Sequence, residues 1–236
     1  MKVAIIQGSS QKDKNSLVDK ILREILKGKD YEVINFGIFK DEDLEYSYVE
    51  IAMLISILLE SKAVDFVVTG CSSGQGMMLA CNSLPSIICG YVENPSDAYL
   101  FGRINNGNAV SIPLGLNFGW AAEINLQCIL EKLFDEPFGV GYPKEEAKRK
   151  QKDANILKHM NYITKRELKN VIPKMDVDFM KKVLSRDNVF KYVMKYGQNN
   201  ELKKLLQTCK WIRNWKRGCI LESWRRYDWK IFKIWH

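Results

Sequence analysis

The chain has 236 residues, of which 46% are hydrophobic, and a formal net charge of +8. This composition fits one large domain, or a domain with an appendage, and excludes a disordered chain. No apolar run reaches the roughly 18 residues of a membrane span, and the apolar start before Gly8 is too short for a signal peptide. We therefore expect a cytoplasmic protein with no membrane partner. Because only two histidines are present and no cysteines are spaced as ligands, we also expect no metal site.

The first 135 residues alternate short apolar runs with segments of helical length. The pattern predicts strands at 3–6, 32–36, 65–69, 87–91 and 109–112, and helices at 16–27, 44–61, 76–83, 96–104 and 118–134. Continuous Val- and Ile-rich runs are typical of a parallel sheet that is buried on both faces. The alternation predicts a doubly wound α/β fold with a five-stranded parallel sheet in three layers, in which ligands bind at the carboxyl ends of the strands. Trp120 is expected to pack a helix against this sheet.

The sequence pattern changes near residue 144, from alternating strand and helix segments to charged helical segments. We predict an α/β domain over residues 1–143 and a C-terminal helical extension of three or four helices over 144–208, with breaks near Pro173 and Gly197. Residues 209–236 form a third segment, which holds eight Lys and Arg against two acidic residues and five of the six tryptophans. An amphipathic membrane-surface helix and a frameshifted or misannotated reading frame both explain this composition, and we base no function on it. Since residues 1–208 are nearly neutral, we expect no nucleic-acid partner.

The loop after the third predicted strand carries the chemistry. The sequence from Thr69 reads Thr-Gly-Cys-Ser-Ser-Gly-Gln-Gly, so Cys71 lies between the end of a strand and the start of a helix. Free amide N–H groups at a helix N-terminus bind anions, and the helix dipole favours a thiolate at Cys71 over a thiol. A base beside an oxyanion pocket can abstract a proton next to a carbonyl group. The alternative is a loop that only binds phosphate, with an incidental cysteine.

The order and spacing of four motifs resemble those of the type B ribose-5-phosphate isomerase and galactose-6-phosphate isomerase family. The motifs are Cys-Ser-Ser-Gly-Gln-Gly at 71–76, Ala-Cys-Asn-Ser-Leu-Pro-Ser-Ile at 80–87, Asn-Pro-Ser-Asp-Ala at 94–98 and Arg-Ile-Asn-Asn-Gly-Asn at 103–108. The resemblance covers roughly residues 1–150, and the helical extension is similar to a longer subgroup of the family. It implies an aldose–ketose isomerase that acts on a sugar phosphate through a cis-enediolate, with ribose 5-phosphate or a hexose 6-phosphate as the substrate.

The resemblance also implies a role for each matching position. Cys71 corresponds to the general base, and the Ser73 hydroxyl corresponds to a Thr that assists it. The remaining positions are expected to bind substrate: the loop amides at Ser72, Gly74, Gln75 and Gly76, the Asn105 side chain, and the phosphate candidates Arg103, Lys144 and Lys148. No metal, nucleotide or flavin cofactor is required. The family further implies a homodimer, or a tetramer, with active sites near the subunit interface.

Two departures from the family pattern matter. The histidine that opens the sugar ring falls on Ile104, and an arginine after the fifth strand has no counterpart at residues 115–117. Ring opening is therefore left to Ser9, Ser10 or Gln11, of which Ser9 is also expected to bind substrate, or the substrate arrives already open. The rival hypotheses are a non-catalytic sugar-phosphate-binding protein on the same fold and an anion- or nucleotide-binding module with a redox thiol.

Overall fold

The centre of the molecule is a five-stranded sheet in which every strand is parallel to its neighbours. The computed structural model describes residues 1–116 and 118–212. The strand order is β2-β1-β3-β5-β4, as the doubly wound prediction requires. The strands are β1 (Lys2–Ile5), β2 (Glu32–Asn35), β3 (Phe66–Cys71), β4 (Cys89–Tyr91) and β5 (Ala109–Pro113). Each coincides with a predicted strand to within two residues, which confirms the fold class.

Five helices accompany the strands, and five more follow them in the described part of the chain. The first five are α1 (Asn15–Leu26), α2 (Tyr48–Glu60), α3 (Gln75–Asn82), α4 (Pro95–Leu100) and α5 (Ala122–Leu133). The later five are α6 (Ala147–Thr164), α7 (Leu168–Val171), α8 (Val177–Leu184), α9 (Asp187–Tyr196) and α10 (Asn200–Ile212). The extension thus has more helices than predicted, because α7 is a single short turn that sequence periodicity does not separate from its neighbours.

The two faces of the sheet bury two separate apolar cores. Alternate residues of a strand point to opposite faces, so Ala4 and Val67 join one core while Val3 and Phe66 join the other. Helices α1, α4 and α5 supply the second core, and α2 and α3 supply the first. Side chains of α7–α10 complete the first core around α2, so the extension packs as part of the main body. The boundary at residue 143 stays a prediction.

The longest apolar run of the chain becomes α2, which is covered from two sides. Residues 51–59 are all buried, because the sheet lies under this helix and the extension lies over it. The helix begins four residues later than predicted, where the Ser47 amide donates to the Glu50 carboxylate at 2.7 Å and closes a capping box. No helix in the described residues is long and apolar enough to cross a bilayer. The Trp/Arg-rich segment from residue 213 onward lies outside the described residues, and α10 extends beyond its predicted end at 208.

The loops after β1 and β3 form the crevice of the fold. The chain leaves β1 to form β2 on one side and then returns to form β3 on the other side of β1. The two loops therefore diverge from a topological switch point, where ligands of doubly wound folds bind. Their backbones are joined there, since the Gly8 amide donates to the Gly70 carbonyl at 3.0 Å.

Candidate active site

Cys71 is the last residue of the central strand β3. It pairs with Pro113 of β5, and its carbonyl accepts a hydrogen bond from the Leu114 amide at 3.0 Å. The residue is 9% exposed, so it is largely shielded from solvent. Of the described cysteines, Cys81 and Cys89 are also buried, and both pack in the core. The hydrogen bond that the Cys89 thiol makes with Cys81, together with burial, raises the pKa of Cys89 and favours its neutral form.

The loop from Ser72 to Gly76 presents unpaired backbone amides beside Cys71. The N–H groups of these five residues donate to no other described residue, and the first α-helical bond of α3 runs from the Met78 amide to the Gly74 carbonyl at 3.0 Å. Gly74 adopts a φ of 73°, a left-handed conformation that turns the chain from strand to helix. The Ser111 hydroxyl holds this turn by donating to the Gly74 carbonyl at 2.7 Å. The loop is thus built as a cradle for a small anion or an oxyanion.

The predicted binding residue Ser9 lies in the loop after β1, next to Cys71. A Cβ atom on the neighbouring Gly8 would lie 3.7 Å from the Cys71 Cβ. The Ser9 hydroxyl accepts a hydrogen bond from the Tyr46 amide at 2.6 Å, so its own proton remains available to a ligand in the crevice. The structure therefore brings the backbone of the loop that carries Ser9 against Cys71, through Gly8.

Gly115 closes the crevice on the side of β5. A Cβ atom at this position would lie 2.5 Å from the Ser72 hydroxyl oxygen and 3.0 Å from the Gln11 Nε2. A side chain at this position would therefore have to move the Ser72 and Gln11 side chains, which the glycine leaves in place. The close approach places Gln11, one of the candidates for assisting ring opening, beside the loop.

Two tyrosines form walls of the crevice. A Cβ atom on Gly74 would lie 2.8 Å from the Tyr91 ring, and one on Gly76 would lie 3.5 Å from the Tyr48 ring. The Tyr91 hydroxyl donates to Glu93 at 3.3 Å. Burial and the negative charge of Glu93 raise the pKa of Tyr91, which keeps this hydroxyl protonated as a donor.

Arg103 does not reach the crevice, which corrects its assignment as a phosphate ligand. Its side chain is fully buried, and its Nη2 donates to the Leu133 carbonyl at 2.9 Å. The guanidinium lies over the rings of Tyr99 and Phe138. Burial lowers the pKa of this arginine, and its Nε and Nη1 atoms have no hydrogen-bond partner among the described residues. Arg103 occupies a π-helical turn that follows α4, and residues 133–141 fold over it.

Asn105 and the predicted basic residues lie at the opposite edge of the sheet. Asn105 precedes β5, whereas Cys71 is paired with the end of β5, so the length of the strand, about 13 Å, separates them. Lys144 and Lys148 are exposed at the start of α6. The chain leading to α6 is attached to the same π-helical turn, through the Gly141 amide and the Arg103 carbonyl at 2.9 Å. A single chain therefore does not bring these three residues to the 71–76 loop.

Two cations near Ser9 were missed by the sequence analysis. Lys12 and Lys14 follow Ser9 at the carboxyl edge of the sheet, in the 3-10 turn Ser9–Lys14. The Lys12 amine donates to the Glu42 carbonyl at 3.1 Å, and the Lys14 amine lies 5.1 Å from the centre of the Phe118 ring. Their position directly after the switch-point strand was the signal that could have found them. Trp120 was also wrongly placed, since it is fully exposed rather than packed on the sheet.

Comparison with known proteins gives consistent matches. The family model for ribose/galactose isomerases matches residues 5–135. A solved structure of 4-deoxy-L-threo-5-hexosulose-uronate ketol-isomerase is 42% identical with a TM-score of 0.84, over 89% of this chain and 99% of that one. A ribose-5-phosphate isomerase from Vibrio parahaemolyticus is 36% identical with a TM-score of 0.84, over the same shares. Both matches must include the extension, given that coverage. No curated protein matches the chain.

A more distant structure shares only the fold. The type B ribose 5-phosphate isomerase of Trypanosoma cruzi is 17% identical with a TM-score of 0.57, over 68% of this chain and 98% of that one.

Proposed function

Because the chain belongs to the ribose/galactose isomerase family, whose members interconvert aldoses and ketoses, we propose that it isomerises an open-chain sugar with Cys71 as the general base. The observation that carries this proposal is the placement of Cys71 at the switch point of the sheet, beside five unpaired loop amides. A binding protein would need the amides but not a shielded thiol among them.

The proposed reaction is a proton transfer between two neighbouring carbons. The Cys71 thiolate removes the proton from the carbon next to the carbonyl group, and the electron pair of that C–H bond forms the double bond of a cis-enediolate. The amides of Ser72, Gly74 and Gly76 stabilise the negative charge that develops on the carbonyl oxygen. The Ser73 hydroxyl and the Gln75 amide contribute to the same pocket, and Ser9 donates to a neighbouring substrate hydroxyl. The thiol then returns the proton to the former carbonyl carbon. The proton of the neighbouring hydroxyl group moves to the former carbonyl oxygen, so that no atom is gained or lost.

The crevice favours a substrate that is already open. Within the described residues His159 is the sole histidine, and it lies on α6, away from Cys71. A 4-deoxy-5-hexosulose uronate has no hydroxyl at C4 and a ketone at C5, so it has neither of the hydroxyls that close a five- or six-membered ring on the C1 aldehyde. Ribose 5-phosphate does have such a hydroxyl and must be opened. We therefore place the uronate substrate of the 42% identical relative first and ribose 5-phosphate second, ahead of a hexose 6-phosphate.

The same proposal includes a homodimer. Asn105, Lys144 and Lys148 lie too far from Cys71 in one chain, and they contribute to a site only if a second copy presents them to the crevice. A dimer would supply the cation that the anionic end of the substrate needs.

Mixing Cys71→Ala with Asn105→Ala chains tests this arrangement. Random exchange of subunits should restore about a quarter of the wild-type turnover, because half of the dimers then contain one intact composite site. No recovery after verified exchange would contradict a shared site.

Deuterium incorporation tests the chemistry directly. The purified chain is incubated in deuterated water with the deoxy-hexosulose uronate, ribose 5-phosphate or galactose 6-phosphate, and ketose formation is followed together with deuterium at C1 of the ketose and at C2 of the recovered aldose. Wild type should exchange at least one substrate, and Cys71→Ala should abolish the exchange. Cys128→Ala is the matched control, because this half-buried cysteine lies on α5 and should retain turnover. Binding without exchange would instead support the non-catalytic hypothesis, and exchange that survives in Cys71→Ala would refute the role of the thiol.

A further inference from the structure

Arg186 of the extension is buried against the segment that follows β2. The residue precedes α9, is 6% exposed, and holds both carboxylate oxygens of Glu42 with the two ends of its guanidinium. The Nη2–Oε1 distance is 2.7 Å. Nη2 also donates to the Phe36 carbonyl, so one side chain holds both Phe36 and Glu42. Bidentate pairs of this kind define an orientation as well as a distance.

The segment from Phe36 to Tyr46, here called the clamp loop, lies between the extension and the first loop of the crevice. Glu42 shapes it from inside, because its Oε1 also accepts from the Phe39 amide at 2.9 Å. On the crevice side, the Glu42 carbonyl accepts from Lys12 at 3.1 Å. The clamp loop therefore transmits the position of Arg186 to residues that follow β1.

Tyr46 ends the clamp loop and contacts both neighbours at once. Its hydroxyl lies 2.9 Å from the Ser185 hydroxyl, directly before Arg186. Its backbone makes two hydrogen bonds to Ser9, from the Tyr46 amide to the Ser9 Oγ at 2.6 Å and from the Ser9 amide to the Tyr46 carbonyl at 3.1 Å. Because the Ser9 oxygen accepts from Tyr46, the hydroxyl keeps its own proton to donate to another group.

We propose that Arg186 is a positioning residue, whose bidentate contact with Glu42 holds the clamp loop so that Tyr46 aims the Ser9 hydroxyl at substrate beside Cys71. This inference rests on the proposed isomerase function, and it gives the helical extension a part in the reaction. A buried ion pair is a poor source of stability compared with apolar packing, whereas it does fix a geometry. The extension thus acts on the site through Ser9 without touching the substrate.

A double-mutant cycle between Arg186 and Ser9 tests the proposal in the full-length chain. Arg186→Met should lower kcat about 10-fold or more with a smaller change in KM, because the Ser9 hydroxyl is displaced while the loop amides stay in place. Ser9→Ala should lower turnover by a similar factor in wild type but by less than about 2-fold in Arg186→Met, because the misplaced hydroxyl has little left to lose. A purely structural role for Arg186 would instead make the two losses multiply, and that result would overturn the proposal.

Two further measurements keep the test decisive. Amide hydrogen exchange should speed up at residues 7–12 and 44–46 in Arg186→Met and stay unchanged at residues 1–6, whether or not a substrate is known. If wild type turns over none of the sugars, the proposed function fails. This exchange pattern then still decides whether Arg186 holds the clamp loop and Ser9 in place. Should Arg186→Met not fold, Arg186→Lys and Glu42→Gln replace it, since each breaks the two-pronged contact with little loss of volume. Arg23→Met, which removes an exposed pair with Asp19, is the control and should change neither turnover nor exchange.

Discussion

Gly74→Ala probes the turn on which the proposed oxyanion pocket depends. At a φ of 73° the added methyl group is strained, and it would lie 2.8 Å from the Tyr91 ring and 3.0 Å from the Pro113 nitrogen. We expect about 1–2 kcal/mol for the backbone strain, and about 1–3 kcal/mol more because the backbone of β5 cannot move away. The turn must shift to relieve the contact, so the amides of residues 74–76 leave their positions and turnover should fall at least about 10-fold.

Gly28→Ala is the matched control for this prediction. Gly28 ends α1 with a φ of 78°, but a Cβ atom there has no neighbour within 4 Å. It should lose only about 1 kcal/mol, since part of the strain is offset by the reduced entropy of the unfolded chain, and its turnover should equal wild type. Urea unfolding gives the two free energies, and initial rates on the substrate identified by deuterium exchange give the turnover. Equal losses of stability in the two variants, or full activity of Gly74→Ala, would refute the account of the turn.

Three further predictions concern residues outside the crevice. Arg103→Met should leave KM unchanged. Its unfolding free energy should lie within about 1 kcal/mol of wild type or above it, because an apolar side chain replaces a buried guanidinium. A raised KM in initial-rate assays would restore the phosphate-ligand hypothesis. Burial of Glu42 opposes its charge, but the hydrogen bond from Arg186 prevails, and the pKa of Glu42 is lowered below 4.5. Wild type should therefore lose stability as the pH falls through this lowered pKa. Acid titration of Glu42→Gln should lack that loss. Asn82→Ala should destabilise the fold by about 2–3 kcal/mol in urea unfolding, because the Asn82 amide group bonds both the Cys89 N–H and its carbonyl, at 2.9 and 2.8 Å; an unchanged midpoint would contradict that role.

Sequence reasoning found the parts of the site that consist of consecutive residues in the chain. A buried strand, a Gly/Ser turn and a helix start place Cys71 and its loop amides without any long-range information. Ser9 was found through the family resemblance, as one of the residues after the first strand that could take over from the missing ring-opening histidine. The strands themselves were predicted because apolar runs of four to six residues have few alternatives in a fold of this class.

The parts that were missed or misplaced depend on contacts between distant positions. Arg103 was assigned by its nearness in sequence to Asn105, whereas its burial is decided by residues 133–141, which fold over it. Arg186 and Glu42 are 144 positions apart, and no local pattern marks either as paired. Asn15 illustrates the same limit: its side chain bonds those of Asn35 and Gln7, at 2.8 and 2.9 Å, which are contacts between positions that no local pattern connects.

The position of Gly115 connects these observations to the choice of substrate. A Cβ atom at this position would crowd the Ser72 and Gln11 side chains, and no arginine stands at residues 115–117, where the family pattern places one. Lys12 and Lys14 remain at the same edge, but each is engaged with its own chain. One chain thus offers the base and the oxyanion amides, while the anionic end of the sugar depends on a weaker or shared cation. A carboxylate, with its single charge, is satisfied by such a partner more easily than a phosphate dianion, which needs several charge-assisted hydrogen bonds. The missing ring-opening histidine favours an open-chain substrate, and the missing arginine favours a carboxylate over a phosphate, so the two together support the proposal of an open-chain uronate.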